Sequence, residues 1–331
     1  MNAAPVTLPT FTVRPATDAD HAALAELMTA VNPRHPLSVT ALEHHLHSLR
    51  THPLGLHVAL WVADRVGEVL GVASAMQFGG MFHPDRYHAE VGVHPRHRRQ
   101  GVGAALAGTL SAHLEARGAR EVLAGAYEDD PRSLHFLEKR GFTEVMRFFD
   151  NVLDMADFDV DAWAARAPAP AGVRIVSYAD LSAELGEDAA RDAYYRGYLA
   201  ARADVPRAAP ATPVSPEDFR QRLASPRFLP RGTLLAVTPG GAVAALSELE
   251  QEDDQPGRLN TGLTGTHRDW RRQGLALALK VAALRVARDL GAREVWTGNA
   301  TTNRPMLALN ERLGFRPRVA WIEMKRGGLT E

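Results

Sequence analysis

The feature that most constrains this chain is that it repeats itself. Gly-Ala-Arg-Glu-Val stands at 118–122 and again at 291–295, a shift of 173. The same shift carries Arg-Arg-Gln-Gly from 98–101 to 271–274 and Gly141-Phe142 to Gly314-Phe315. Three matches at one offset mean an ungapped duplicated block, so the chain must fold as two copies of one plan. Upstream the register changes: Val13-Arg14 corresponds to Val173-Arg174, a shift of 160, which gives the second copy about 13 extra residues in its first third. The Pro- and Ala-rich stretch 201–216 reads as the loop that holds them. Residues 159–172, ending in Pro-Ala-Pro-Ala-Gly, read as a linker. The predicted organisation is one domain over 1–158 and a second over 173–331. The 331-residue length suits two domains of about 150 residues each.

Within each copy the pattern is α/β, a mixed sheet with helices. In the first, strands are expected at 11–14, 56–63, 69–77, 87–93, 121–126 and 143–155. Helices are expected around Leu24, Leu27 and Met28, at 101–117 and at 133–139. The second copy repeats the order, with helices at 274–290 and 305–312.

Charge and cysteine content remove several functions. Lys plus Arg number 38 against 39 Asp plus Glu, so the net charge of -1 offers no field for a nucleic-acid backbone. There is no cysteine, hence no disulfide framework and no acyl-cysteine intermediate, and any acyl transfer must be direct. No run of about 18 apolar residues is present and the first twenty residues lack a basic-then-apolar leader pattern, which leads to the expectation of a cytoplasmic protein with no membrane partner. His44, His45 and His47 lie on an expected helix, but without His-Glu-x-x-His spacing they read as a polar surface, and no metal is expected.

The segment from Glu90 to Gly103 is a strand, a basic turn and a helix start, and Leu263 to Ala276 matches it. A helix N-terminus presents unpaired N–H groups and the positive end of a dipole, which favour an anion. Small residues there admit a phosphate, and arginines at the lip attract it. A dinucleotide fingerprint would need a third glycine near Leu106, and no Walker lysine follows either loop.

Arg-x-x-Gly-x-Gly/Ala after a strand, with Glu-Lys-Arg-Gly-Phe or Glu-Arg-Leu-Gly-Phe closing a later helix, resembles the GNAT N-acetyltransferase superfamily over both halves. The tandem arrangement is also similar in architecture to the mycothiol synthases. The resemblance implies two tandem GNAT-like domains that bind acetyl-CoA and acetylate an amine of a small molecule or peptide, as a pseudo-symmetric monomer or a homodimer. It implies pyrophosphate contacts from Arg98, Arg99, Gln100, Gly101, Val102, Gly103 and Ala104, and from Arg271, Arg272, Gln273, Gly274, Leu275, Ala276 and Leu277. Pantetheine and thioester contacts fall to the strand positions Val91 and Val93, then Thr264 and Thr266. Gly92 and Gly265 between them suit a bulge.

Two family positions depart from pattern. The Asn that opens the last helix is Asn303 in the second copy but Asp130 in the first, and the Tyr that usually protonates the departing thiolate is replaced by Leu137 and Asn310. The candidate bases are Glu90, whose counterpart is Leu263, and Glu248 and Glu250 on the preceding strand of the second copy. His94 and His267 read as caps beside the loops. Tyr194, Tyr195, Tyr198, Arg191 and Asp204 either line an acceptor pocket or pack on the core. Asn303 and the longer segment make the second copy, from about Ala171 onward, the expected catalyst; Glu90, present only in the first, is the feature that stands against this. A non-catalytic CoA-binding regulatory module is the alternative that the missing tyrosines leave open.

Overall fold

A computed structural model describes residues 11–252 and 255–327. The first ten residues, part of the stretch read for a leader, lie outside it, as do the extreme ends of the two expected domains. The first copy runs β1 (Thr12–Pro15), α1 (His21–Val31), α2 (Val39–Arg50), β2 (Val58–Arg65), β3 (Glu68–Met76), β4 (Arg86–Val93), α3 (Val102–Ala116), β5 (Glu121–Tyr127), α4 (Pro131–Glu138) and β6 (Thr143–Asp154). A short helix, α5 (Val160–Arg166), follows. The second copy runs β7 (Arg174–Ser177), α6 (Tyr178–Leu185), α7 (Glu187–Arg202), α8 (Pro216–Leu223), β8 (Phe228–Val237), β9 (Val243–Gln251), β10 (Arg258–Thr266), α9 (Leu275–Asp289), β11 (Glu294–Ala300), α10 (Arg304–Arg312), β12 (Arg316–Pro317) and β13 (Trp321–Gly327).

All strands join one sheet in the order β1-β2-β3-β4-β5-β13-β6-β11-β10-β9-β8-β7, with β12 beside β6. The copies therefore exchange their last strands. β13 lies antiparallel to β5, Trp321 opposite Tyr127 and Gly327 opposite Glu121. β6 lies antiparallel to β11, Glu294 opposite Asp154 and Ala300 opposite Phe148. Side chains alternate across each strand, so an exchanged strand brings core residues with it. Ile322 and Met324 are buried among Leu106, Leu110, Val122 and Ala124 of the first copy, and Leu153 is buried among Leu279, Leu284 and Val295 of the second. Each such side chain contributes roughly 1.5–3 kcal/mol of burial to a core it does not belong to by sequence.

The segment read as a linker is partly ordered. Asp159 accepts the Ala162 amide at 2.9 Å to start α5, and Val160 and Trp163 pack into the second core. The extra residues of the second copy run without helix or strand from 205 to 215 and end at Ser215, which accepts the Asp218 amide at 3.1 Å to cap α8.

Candidate active site

In both copies the strand before the basic turn parts from the next one. β4 pairs with β3 from His88 to Val93, but with β5 only at Arg86, Tyr87 and His88. β10 likewise pairs with β11 only at Arg258, Leu259 and Asn260. Beyond those points the strands splay, and the β5-facing backbone of residues 89–93 and the β11-facing backbone of 261–266 have no ladder partner. Val91, Val93, Thr264 and Thr266 all lie on these freed stretches, so each cleft offers main-chain donors and acceptors to an extended amide-bearing arm.

At the end of each cleft the turn takes the same shape twice. Arg99 and Gly101 have φ of 66° and 84°, Arg272 and Gly274 of 61° and 82°. In each turn two residues of positive φ flank one whose φ is not positive, an alternation of the kind that turns successive N–H groups to one side as an anion nest. Gln100 and Gln273 brace this turn through the carbonyls of Arg96 and Asp269, at 3.3 and 3.5 Å, and Arg98 and Arg271 hold the carbonyls of Val93 and Thr266, both at 3.2 Å. Helices α3 and α9 start at Val102 and Leu275, and the first turns of Val102, Gly103, Ala104 and of Leu275, Ala276, Leu277 face the nests. A Cβ built on Gly101 or Gly274 would meet nothing within 4 Å, so the space above both loops is open. The donor set fits a pyrophosphate. His94 and His267 do cap: their Nδ1 atoms accept the amides of Arg96 and Asp269 at 3.2 and 3.3 Å.

The bulge is not where Gly92 and Gly265 suggested. β4 runs against β3 without interruption, and the only shift lies in β10, where Gly262 and Leu263 together oppose Glu248. Arg86 and Arg258 are 172 residues apart whereas Val91 and Thr264 are 173 apart; the bulge absorbs that extra residue. Its cause is electrostatic. The Glu248 carboxylate is buried and accepts the freed Leu263 amide at 2.8 Å. Gly265 instead makes room for α7: a Cβ there would stand 2.8 Å from the Ala201 Cβ and 3.0 Å from its carbonyl oxygen. Gly92 has only ordinary contacts, with Val31 and Val72 at 3.4 Å.

Two candidate bases are engaged in ion pairs, Glu248 buried and Glu250 partly exposed. Glu248 also accepts from Tyr194 and is ion-paired to Arg222 at 2.5 Å, and Arg222 reaches Glu250 at 3.0 Å. Burial raises the Glu248 carboxyl above its usual range, against the opposing pull of Arg222, Tyr194 and Leu263. Glu248 and Glu250 thus fasten α8 and α7 to the sheet. Tyr194 and Tyr198 are core residues and the Tyr195 hydroxyl is spent on the Val214 carbonyl at 2.6 Å, so these three tyrosines pack rather than line a pocket. Arg191 pairs with Asp188 within its own helix.

The inserted segment does not enlarge the second cleft. Thr212 donates its amide to the Gly80 carbonyl at 3.0 Å and accepts the Phe82 amide at 2.6 Å, so the loop is docked on the first copy. Asp204, at its other end, bridges Arg268 and Arg271 at 2.5 Å each and occupies the lip of the second nest. Asp130 caps α4 by accepting the Ser133 amide at 3.2 Å, whereas Asn303 stands at the same position without a side-chain cap. Asn310 is buried and donates to Asn299 at 2.6 Å, and Leu137 packs on the first core.

Glu90 is the exception among the acids. It stands on the freed part of β4, open to solvent within the cleft, and no hydrogen bond or ion pair ties it among the described residues. Protein surrounding the cleft desolvates it and raises its carboxyl above the usual range.

A sequence model of the Acetyltransferase (GNAT) family matches residues 23–142 and again 195–315. The chain belongs to the GNAT acetyltransferase family. It is a tandem N-acetyltransferase that uses acetyl-CoA. The chain is similar to the mycothiol acetyltransferase of Thermobifida fusca (strain YX), 30% identical over 78% of this chain and 79% of the relative. It is also similar to that of Nocardiopsis dassonvillei, 28% identical over 88% of each. Two solved structures share the whole fold: a GCN5-related N-acetyltransferase from Sphaerobacter thermophilus, with a TM-score of 0.72 at 22% identity over 96% of this chain and 95% of that one, and a tandem GNAT protein from the clavulanic acid biosynthesis pathway, at 0.71 and 23% over 97% and 99%. Strand exchange brings to the first cleft residues that the repeat pattern could not supply. On the face of β4 and β5 away from α3, the first cleft is walled by Trp321 and Glu323 of β13. The alternation of Trp321, Glu323 and Lys325 marks a strand, but nothing in it says which copy receives that strand.

Proposed function

We propose that the first copy is the catalytic half and that it transfers an acetyl group directly to the amine of a small molecule, with Glu90 as proton acceptor. The observation that carries this reading is the free Glu90 carboxylate on the splayed strand, where the second copy has Leu263 and where Glu248 and Glu250 are committed to Arg222. The relatives are mycothiol acetyltransferases, which supports an acceptor of small-molecule size.

The freed β4 backbone positions the thioester, and the nest at Arg98–Ala104 holds the pyrophosphate. An aliphatic amine has a pKa of about 10.4, so it arrives as an ammonium and must lose a proton before attack. Glu90 accepts that proton. Nitrogen then bonds to the carbonyl carbon, the carbon–sulfur bond breaks with CoA leaving as thiolate, and the second proton left on nitrogen is released to water as the neutral amide forms. Leu137 and the buried Asn310 offer no acid at the family's tyrosine positions, so the thiolate takes its proton from water.

The second copy, on this reading, binds CoA without turning it over, which narrows the regulatory alternative to one half. Glu90→Gln should lower kcat for CoA release with an amine panel by about 10²–10⁴-fold while leaving CoA affinity unchanged. The acid limb of the wild-type rate, set above the ordinary carboxylate range because Glu90 must be deprotonated to act, should vanish with it. Full turnover in that variant would remove Glu90 from the mechanism.

A further inference from the structure

Rows of side chains line up across β4, β5 and β13 on the face away from α3. Gly125 stands opposite Glu323 and Tyr127 opposite Trp321. Directly opposed residues of an antiparallel pair project to the same face. On the other side of β5, His88 pairs with Leu123, two residues before Gly125, and Glu90 follows His88 by two on the same face of β4. Glu90 and Glu323 therefore confront each other across a residue that has no side chain. A Cβ on Gly125 would fall 2.5 Å from the Trp321 ring, so glycine is what lets the indole lie over the strand as a floor.

The groups around this hollow are unusual in their charge. The Trp321 Nε1 donates to Glu323 Oε2 at 3.2 Å, while Oε1 lies 4.0 Å from the Nδ1 of His88. Burial pulls His88 down to about 4, so its ring is neutral, and its buried Nε2 has no partner. Phe78 stands edge-on to it at 4.2 Å. Among the described residues no lysine or arginine pairs with either carboxylate. Lys325 is turned to Glu121 at 3.4 Å, and Arg34, above the Tyr127 ring, is held by Asp129 at 2.5 Å. Glu90, exposed in the cleft, and Glu323, largely buried, face each other without a counter-ion; burial and the neighbouring Glu90 raise the Glu323 carboxyl, and a cation beside the indole face would relieve both.

We propose that Glu323, carried on the last strand of the second copy, determines acceptor specificity at the first copy's cleft: with Glu90 and the Trp321 indole it receives the acceptor as an ammonium cation and rejects amines with a carboxylate beside the reacting nitrogen. This rests on the reading that acetyl-CoA reacts in the first cleft. Glu90 removes one ammonium proton to give the nucleophile, while Glu323 keeps its charge and holds the remaining N–H groups. An α-amino acid would place its carboxylate against Glu323 and be repelled.

The test is a pair of CoA thioethers, S-(3-aminopropyl)-CoA and its neutral counterpart S-butyl-CoA, measured by calorimetry on the full chain carrying Ala276→Glu so that only the first loop binds. The amine probe should bind about tenfold or more tightly than the neutral one. Glu323→Gln should erase that advantage, Glu323→Asp should keep part of it, and S-butyl-CoA affinity should stay unchanged in both, which also reports an intact fold. If S-butyl-CoA binds but the amine has no advantage, or keeps it in Glu323→Gln, the proposal falls and the reading of the cleft stands. If neither probe binds the first loop, both fall.

Discussion

A carboxylate serves as a base only when its oxygens are free to reach the substrate, and Glu248 has none to spare: Arg222, Tyr194 and the Leu263 amide claim both. From the sequence, all three acids were candidate bases, Glu90 on the strand before the basic turn of the first copy, and Glu248 and Glu250 one strand earlier in the second. What separates them is Arg222, which stands on α8, 26 residues before Glu248, and no local pattern ties the two. A second buried charge carries a prediction of its own. Lys280 on α9 is wholly buried with the Phe315 ring 4.8 Å away, and desolvation lowers its ammonium from 10.5 to about 7. The unfolded chain keeps that proton up to about 10.5 while the folded chain releases it near 7, so the unfolded state binds more protons across that window and stability rises with pH from about 7 to about 10.5. The full difference is on the order of 5 kcal/mol. Lys280→Met should be more stable than wild type at pH 7 in urea melts, and should show little of the wild-type gain between pH 7 and 9.5. Equal slopes in the two proteins would mean that the amine has found a partner.

The two basic turns are the elements whose shape is most legible in the sequence, because it needs specific residues at fixed spacing: glycine at 101 and 274, where φ lies near +83°, and small residues two positions on. The elements around them were legible by period and lay within a few residues of expectation. The bulge was not, since glycines at 92 and 265 looked alike while a buried acid on the neighbouring strand decided the geometry. Left-handed φ also determines how the loops should be probed. Valine at 101 or 274 strains the backbone before it meets any phosphate. Glutamate at 103 or 276 is better: in the first helical turn it complements the helix dipole and faces the anion with a like charge. Gly103→Glu and Ala276→Glu should each weaken CoA binding at their own loop by tenfold or more with Tm unchanged or raised. Unaltered affinity in both would make the loops ordinary helix starts.

At the scale of the molecule, duplication was plain in the sequence and the exchange of last strands was not. β6 and β13 have the same alternating pattern whichever copy they join, and only the assembled sheet selects a partner. We therefore expect a chain cut between 158 and 159 to fold poorly as separate pieces. The first lacks Ile322 and Met324 in its core, and the second lacks Leu153, Phe158 and the β6 edge. The intact chain should unfold in one cooperative transition and the fragments should recover structure on mixing; two monomers with independent sharp transitions would refute this. The exchange also sets Trp321 and Glu323 of the second copy beside the first cleft. The measurement that bears most directly on the division of labour is CoA release from acetyl-CoA with an amine panel, by full-length chains carrying either Gly103→Glu or Ala276→Glu. Loss of turnover in Gly103→Glu, with at least half the rate kept in Ala276→Glu, is the outcome that catalysis at Glu90 requires. Turnover that survives Gly103→Glu and disappears in Ala276→Glu would contradict it and return the reaction to the second copy.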